Sequence, residues 1–207
     1  MGTIDKGVRV LDAVEDAGPR TLADLVAATG LSRATAHRLA VALEAHGLLR
    51  RTADGRFALG LRLVGLGRAA ADALPLADAA GPALAELRDV TGESVQLYVR
   101  EGDQRVCVAS LESPHGLRTI VPMGAALPLD RGSAGRALRA TTPDWVASVE
   151  ERERGVASVS APVRDAAGQV LAAVSVSGPV ERTTRSPGER YGAAVQAAAR
   201  RVEAALG

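Results

Sequence analysis

Apolar residues recur at helical spacing through the first quarter of the chain. Ile4, Val8, Leu11 and Val14 mark one face of a helix from Thr3 to about Ala17, which Gly18-Pro19 breaks. Thr21, followed three residues on by Asp24, has the spacing of a capping box and starts a short helix from Leu22 to Thr29. Gly30 ends that helix in a tight turn, and Ser32 can cap a third helix from Arg33 to His46. In this helix Ala36, Leu39, Ala40 and Leu43 form one buried stripe, and Gly47 is its stop. Leu48 to Arg51 and Arg56 to Leu59 then flank Thr52-Ala53-Asp54-Gly55, where Asp-Gly signals a hairpin. Three helices with a glycine turn between the second and third, followed by a hairpin, describe a winged helix-turn-helix.

Beyond it, Leu61, Val64, Leu66 and the alanines after Arg68 predict a linker helix to about Ala73, closed off by Pro75, and a helix from Leu76 to Val90 brings Leu84 and Leu87 inward. The pattern then switches to alternation. Ser94 to Val99 and Arg105 to Leu111 predict a hairpin turning at Gly102-Asp103, and Arg118 to Pro122 a third, weaker strand. Gly132-Ser133-Ala134-Gly135 opens a short helix to Arg139. Val156 to Val163 and Gln169 to Ser177 pair around Asp165-Ala166-Ala167-Gly168, and a last helix runs from about Pro187 to Leu206. The fold class is therefore α+β: a winged helix-turn-helix in residues 1–60, a linker helix in 61–75, and an α+β domain with an antiparallel sheet in 76–207.

Composition narrows this in three ways. With 47% hydrophobic but only 2% aromatic residues, the core must be built from Ala, Val and Leu, so its helices pack closely. The single cysteine, Cys107 in an apolar run, excludes an intramolecular disulfide and reads as a small core residue. No signal peptide or stretch of ~20 apolar residues is visible, so a soluble cytoplasmic protein without membrane contact is expected. Net charge is +1, but residues 1–65 carry +2 and residues 66–207 carry −1. Between 33 and 62, Arg33, Arg38, Arg50, Arg51, Arg56 and Arg62 face only Glu44 and Asp54, with His37 and His46 nearby. A phosphate backbone attracts such a patch.

A recognition helix meets base edges with its N-terminal residues. With Ala36 at the centre of the buried stripe, Ala34 and Arg38 point outward, and Thr35 and His37 sit on the flanks. Arg can bridge guanine O6 and N7, and small methyl groups can touch thymine. The candidate DNA-binding residues are Ser32, Arg33, Ala34, Thr35, His37 and Arg38, with Arg51 and the wing-tip Arg56 placed for phosphate or the minor groove. The alternatives are an ordinary solvated basic face or a winged helix used for protein contacts. The basic cluster counts against the latter.

These residues resemble the IclR family of bacterial regulators. The resemblance runs through Leu22-Ala23-Asp24-Leu25, Thr29-Gly30-Leu31-Ser32, Thr35-Ala36-His37-Arg38-Leu39, Leu43 to Leu48 and Gly55 to Gly60. It continues in Gly135-Arg136-Ala137-Leu138, where the family has Gly-Lys-Ala-Leu, and in Gly155 to Val163 and Ala172 to Pro179. Leu25 to Leu43, Leu87 to Ser94 and Glu151-Arg152-Glu153 are similar to actinobacterial regulators of leucine biosynthesis and amino-acid-dependent growth. The resemblance implies dimers, often paired into tetramers, on palindromic double-stranded operators, acting as repressor or activator. It also implies a GAF-like sensor domain that binds a small organic acid, an aromatic compound or an amino-acid-related metabolite, with no cofactor or metal.

Carried over residue by residue, the polar pocket lining falls on Ser133, Ala134, Ser158, Ser175 and Ser177, with Leu127 and Val156 as apolar walls. Ser175 and Ser177 share one side of a strand, and Ser133 stands at a helix start whose free N–H groups favour a carboxylate. Serine-rich strands that merely expose one face to water are the alternative. Between Ala140 and Val146 the family usually carries a longer helix-and-loop segment, of which Thr141-Thr142-Pro143-Asp144-Trp145 remains. Either the pocket is more open, or effector binding has been lost. Catalysis is not expected: Gly132-Ser133-Ala134-Gly135 lacks the nucleophile-elbow spacing, and His115 is the only histidine beyond the first domain.

Overall fold

The computed structural model describes residues 2–73, 75–140 and 144–207, and the chain divides into two compact units, Met1–Ala73 and Leu74–Gly207. In the first unit, α1 (Thr3–Ala17), α2 (Leu22–Thr29) and α3 (Arg33–Ala45) precede a hairpin of β1 (Leu49–Arg51) and β2 (Phe57–Leu59), and α4 (Arg62–Asp72) follows. The capping box forms as expected: the Thr21 hydroxyl accepts from Asp24 N at 3.2 Å and the Asp24 carboxylate accepts from Thr21 N at 2.9 Å. Hydrogen bonding to Thr21 holds the Asp24 carboxyl below its ordinary value. Gly30 has φ +65°, a left-handed cap that an L side chain resists, and its N–H closes onto Val26 O at 2.9 Å. The chain thereby reverses between α2 and α3 in three residues. Arg20 pairs in antiparallel fashion with Phe57, extending the wing by one bridge.

The core of this unit gathers Val10, Val14, Leu25, Leu31, Ala36, Ala40, Leu49 and Phe57. The α1 periodicity predicts the helix, and of its four apolar positions Val14 and Leu11 meet the core. Its buried residues are Gly7, Val10, Ala13 and Val14, while Ile4 and Val8 are 81% and 47% exposed. Helix α1 has two apolar stripes, and the one with Val10 meets Leu25 and Phe57. In α4 Leu61, Val64 and Leu66 are exposed, and none of the helix's described residues is buried.

The second unit begins with α5 (Pro75–Thr91) and contains β3 (Ser94–Glu101), β4 (Gln104–Leu111), β5 (Ala126–Pro128), α6 (Gly132–Ala137), β6 (Val146–Val149), β7 (Val156–Arg164), β8 (Val170–Pro179), α7 (Val180–Thr183) and α8 (Pro187–Leu206). One antiparallel sheet orders its strands β5-β4-β3-β8-β7-β6. On one face Val95, Leu97, Val159, Val174 and Val176 pack against Leu84 and Leu87 of α5 and Tyr191, Val195 and Val202 of α8. Fully burying such a side chain stabilises by about 1.5–3 kcal/mol. Ala80, Ala83, Ala198 and Ala199 let the helices close over the sheet without large side chains.

The opposite face is covered too, by α6 and the chain around Val121 and Leu129, with Cys107 fully buried there. Burial pushes the Cys107 thiol up to about 11, which fits an inert core residue. Arg118 to Pro122 is not a strand. The Thr119 carbonyl is taken by the Ser94 hydroxyl, the Arg118 guanidinium folds back onto Glu112 and Gly116 O, and Pro122 has no N–H to donate. The strand that pairs with β4 is Ala126–Pro128. Sequence pattern missed β6, which lies against β7 in register Val146 to Ser160 and Ser148 to Ser158. Of the short segment before it, Thr141, Thr142 and Pro143 lie outside the described residues. Trp145 lies against α8, so close that a Cβ at Gly188 would come within 2.2 Å and one at Gly192 within 2.7 Å of its ring.

Candidate nucleic-acid interface and polar cavity

Helix α3 buries Ala36 and Ala40 completely and half-buries Leu39 and Leu43, so the opposite side faces solvent. Arg33, Ala34, His37 and Arg38 are exposed there, and Thr35 is half-buried on the flank. Ser32 caps the helix, its hydroxyl accepting from Thr35 N at 3.3 Å and donating to the Thr35 hydroxyl at 3.0 Å. Among the described residues, no hydrogen bond or ion pair engages the side chains of Arg33, Arg38 or Arg50. A guanidinium in that state is fully hydrated and available to an incoming phosphate or guanine.

The wing arginines differ. Arg51 stacks over the Phe57 ring at 4.0 Å, donates to Gly55 O at 3.0 Å and pairs with Glu44 at 3.4 Å. It ties the wing to α3, so its charge is already matched. Arg56 pairs with Asp54 at 2.9 Å, although both side chains stay exposed. Asp54, held below its ordinary value chiefly by the Thr52 hydroxyl, also organises the turn. Arg62 donates to His46 O at 3.0 Å. Both acids of the basic segment are thus spent on wing arginines, and the positive charge without an acid falls on Arg33, Arg38, Arg50 and Arg62.

In the second unit a polar stripe crosses the sheet beneath α6. Ser158 pairs in register with Ser177 and Ser160 with Ser175, and Ser94 and Gln96 lie beside Ser177 and Ser175 on β3. Ser94, Gln96, Ser160, Ser175 and Ser177 are all buried, which disposes of a water-exposed serine face. The hydroxyls satisfy one another. Ser160 donates to Ser175 at 2.9 Å; with its only proton spent, it accepts from Ser133 at 2.8 Å, and Ser133 in turn accepts from Ser158 at 2.7 Å. Ser177 donates to the Gln96 side-chain oxygen at 3.0 Å.

Five of the seven predicted pocket residues, Ser133, Ala134, Val156, Ser158 and Ser177, line one small cavity there, together with Tyr98, Arg105, Gly132, Ser148, Arg152 and Glu153. Two do not. Ser175 is sealed behind Ser160, because β8 carries it one register step deeper. Leu127 sits on β5 opposite Arg105 and packs into the core beside Cys107. The helix start at Ser133 is shared with an acid of the protein itself. Helix α6 has only six residues, and the leading Gly132 N–H already donates to the Glu151 carboxylate at 3.1 Å, whose other oxygen pairs with Arg136 at 2.8 Å.

Sequence reading missed Ser148, Tyr98, Arg105 and Arg152; the period-two match of Ser158 and Ser160 to Ser175 and Ser177 was the available signal for Ser160. The centre of a water-sized sphere can move through about 30 Å³ of the cavity, where about 10–15 Å³ is enough to hold one water. Ser133 is bonded to Ser158 and Ser160, and no bond joins it to His115 among the described residues, so no nucleophile–base pair forms.

A winged helix-turn-helix with an unmatched basic face, followed by a separate α+β unit holding an enclosed polar cavity, defines a class of two-part DNA-binding regulators. Family comparison places the chain within that class. Residues 3–53 match the IclR helix-turn-helix domain, and residues 68–148 and 144–204 match the C-terminal domain of the bacterial transcriptional regulator IclR. The chain belongs to the IclR family. It is 31% identical over 141 residues to the transcriptional regulator KipR of Bacillus subtilis, a match covering 68% of this chain and 56% of KipR. It is 25% identical over 243 aligned positions to the transcriptional repressor AllR of Escherichia coli, covering 99% and 90% of the two chains. These relatives are regulators, not enzymes. The fold is shared with the Thermotoga maritima IclR (TM-score 0.77, 22% identity, 99% and 98% covered). It is also shared with an IclR homolog of Microbacterium hydrocarbonoxydans solved with 4-hydroxybenzoate (TM-score 0.81, 22% identity, 99% of each chain covered).

Proposed function

We propose that this chain is a sequence-specific regulator of metabolic genes, including genes of amino-acid biosynthesis, that binds a palindromic operator and releases or engages it in response to a small organic acid. The observation that carries the DNA half is the outer face of α3: Arg33 and Arg38 flank the first turns of the second helix of the helix-turn-helix, exposed and without partners. Arg38 and Ala34 read bases, Ser32, Thr35 and His37 lie at the groove edge, and Arg50 and Arg56 meet phosphate. Arg51 acts as a positioning residue.

A dimer fits α4, an 11-residue helix that displays Leu61, Val64 and Leu66 to solvent. A helix of that length is marginal in water without a packing partner, and a two-fold dimer reads two half-sites. The cell compartment is the cytoplasm, where the DNA is.

For the effector half, the Microbacterium homolog's 4-hydroxybenzoate and the enclosed serine stripe support a carboxylate ligand. The cavity volume supports one smaller than an aromatic acid. Shortening of this chain at 140–148 is supported by the C-terminal match falling into two pieces that meet there, and by an AllR alignment longer than the 207-residue chain. The same cavity volume favours a second reading, a regulator that no longer takes an effector. The deciding experiment is to sequence the genomic DNA fragments the protein selects, with and without short carboxylic acids and amino acids. A defined palindromic motif whose recovery changes with one acid is expected. An unchanged motif assigns the second reading, and no enrichment over input refutes both.

A further inference from the structure

Among the described residues of the second unit, Arg105 is the deeply buried cation without a carboxylate at ion-pair distance. It is 3% exposed, and among the described residues no acid lies within ion-pair distance of it. Its guanidinium is held by backbone carbonyls, those of Pro128 and of Arg131 (the latter at 2.6 Å), and stands over the Tyr98 ring at 5.5 Å. Its Nε–H is buried with no acceptor. Glu93, by contrast, shows how this unit treats a buried charge elsewhere: it meets Arg182 through two bonds at 2.7 and 2.9 Å. A buried guanidinium held by dipoles, with the Asp130 carboxylate acting on it only from beyond ion-pair distance, is incompletely compensated.

Arg105 forms part of the wall of the small cavity, beside Ser158, Ser177 and the half-buried Arg152, whose ion-pair partner is the exposed Glu153. We infer that Arg105 anchors the carboxylate of the effector, with Arg152 as a second cation at the cavity mouth and Ser158 as the adjustable donor; the inference rests on the effector reading proposed above.

The hydroxyl chain explains the choice of serine. Ser133 and Ser160 lie inside the chain and cannot turn without breaking bonds on both sides. Ser158 is its end, so rotating that hydroxyl toward an anion gives up one bond and makes one charge-assisted bond. Glu151 already takes the Gly132 N–H at the start of α6, and Arg105 is the buried cation on the cavity wall. The ligand class is a short carboxylate, of acetate or pyruvate size, whose planar head matches the guanidinium edge. A benzoate would require the Arg152 side of the cavity to open.

The test is calorimetric titration of the full chain with acetate and pyruvate against their neutral counterparts acetamide and methyl pyruvate. The acids are expected to bind and the neutral compounds to bind roughly 10-fold or more weakly. Arg105→Gln is expected to abolish the preference, and Ser158→Ala to weaken the acids several-fold. The wild-type acid-to-amide ratio is free of any folding defect in the arginine variant. Equal affinity for acetate and acetamide overturns the assignment, as does a folded Arg105→Gln variant with unchanged acetate affinity. If a neutral metabolite shifts the selected DNA while the acids do nothing, the regulator reading survives and the Arg105 assignment falls. If no DNA is selected but the acids bind through Arg105, the reverse holds.

Discussion

On the outer face of α3 the arginines stand in water without partners. On the inner face of the sheet almost every polar group is buried and bonded to another. The difference is one of solvent. An exposed guanidinium such as Arg38 loses nothing by lacking a partner, because water hydrates it, and it is free to exchange that water for a phosphate or a base. A buried group without a partner is costly. Every hydroxyl of Ser133, Ser158, Ser160 and Ser177 is accordingly bonded, and the exceptions among the described residues are Arg105 Nε, Arg136 Nε, the Gln96 amide nitrogen and the Thr119 hydroxyl. An unpaired charge on the first surface is free to meet a polyanion; on the second it is the basis of the anion site inferred at Arg105.

The comparison is broken most severely by stranding a buried charge. Arg182→Ala leaves the Glu93 carboxylate, 1% exposed, without its cation, and is expected to cost about 3 kcal/mol in chemical denaturation. Arg38→Ala should leave the fold untouched and weaken binding to the selected sequence by about 1–3 kcal/mol while relaxing its base preference, as read by competition binding. The two kinds of arginine within the basic segment sharpen the contrast further. Arg50→Ala should lower the slope of log affinity against log salt by about 1. Arg51→Ala, whose charge already faces Glu44 and Phe57, should weaken all sequences alike with the slope unchanged.

Acid gives the smallest effect. Asp24 and Asp54 have depressed folded values, so their contributions are complete above the ordinary carboxylate range and disappear as pH falls through the lower folded values. The melting temperature should hold steady from neutrality down to about pH 5 and decline below about pH 4. Asp24→Asn should flatten part of that decline, and an unchanged acid limb in this variant would remove Asp24 from the account.

Much of the fold was legible because its signals are local. The capping box at Thr21, the left-handed Gly30 and the 3.6-residue stripe of α3 each act within a turn or two of backbone, and so α2 and α3 start and end where their residues indicate. The period-two runs likewise located β3, β4, β7 and β8. The third strand was misplaced because what decides between Arg118–Pro122 and Ala126–Pro128 is whether the carbonyls and N–H groups are free to pair with β4. That depends on Ser94 and Glu112, distant in sequence.

The inward side of α1 was left open by the sequence for a similar reason. Two apolar stripes satisfy the same periodicity, and only the position of Leu25 and Phe57 selects the one with Val10. At the candidate sites, the sequence by itself determined which face of α3 carries unmatched charge, since a single helix and two acids settle it. Only the tertiary structure decided that Arg51 is committed to the wing, that Glu151 takes the Gly132 N–H, and that Arg105 is buried without a carboxylate at ion-pair distance. Those facts depend on which residues from separate strands meet away from water, and burial is a property of the packed chain, not of its order.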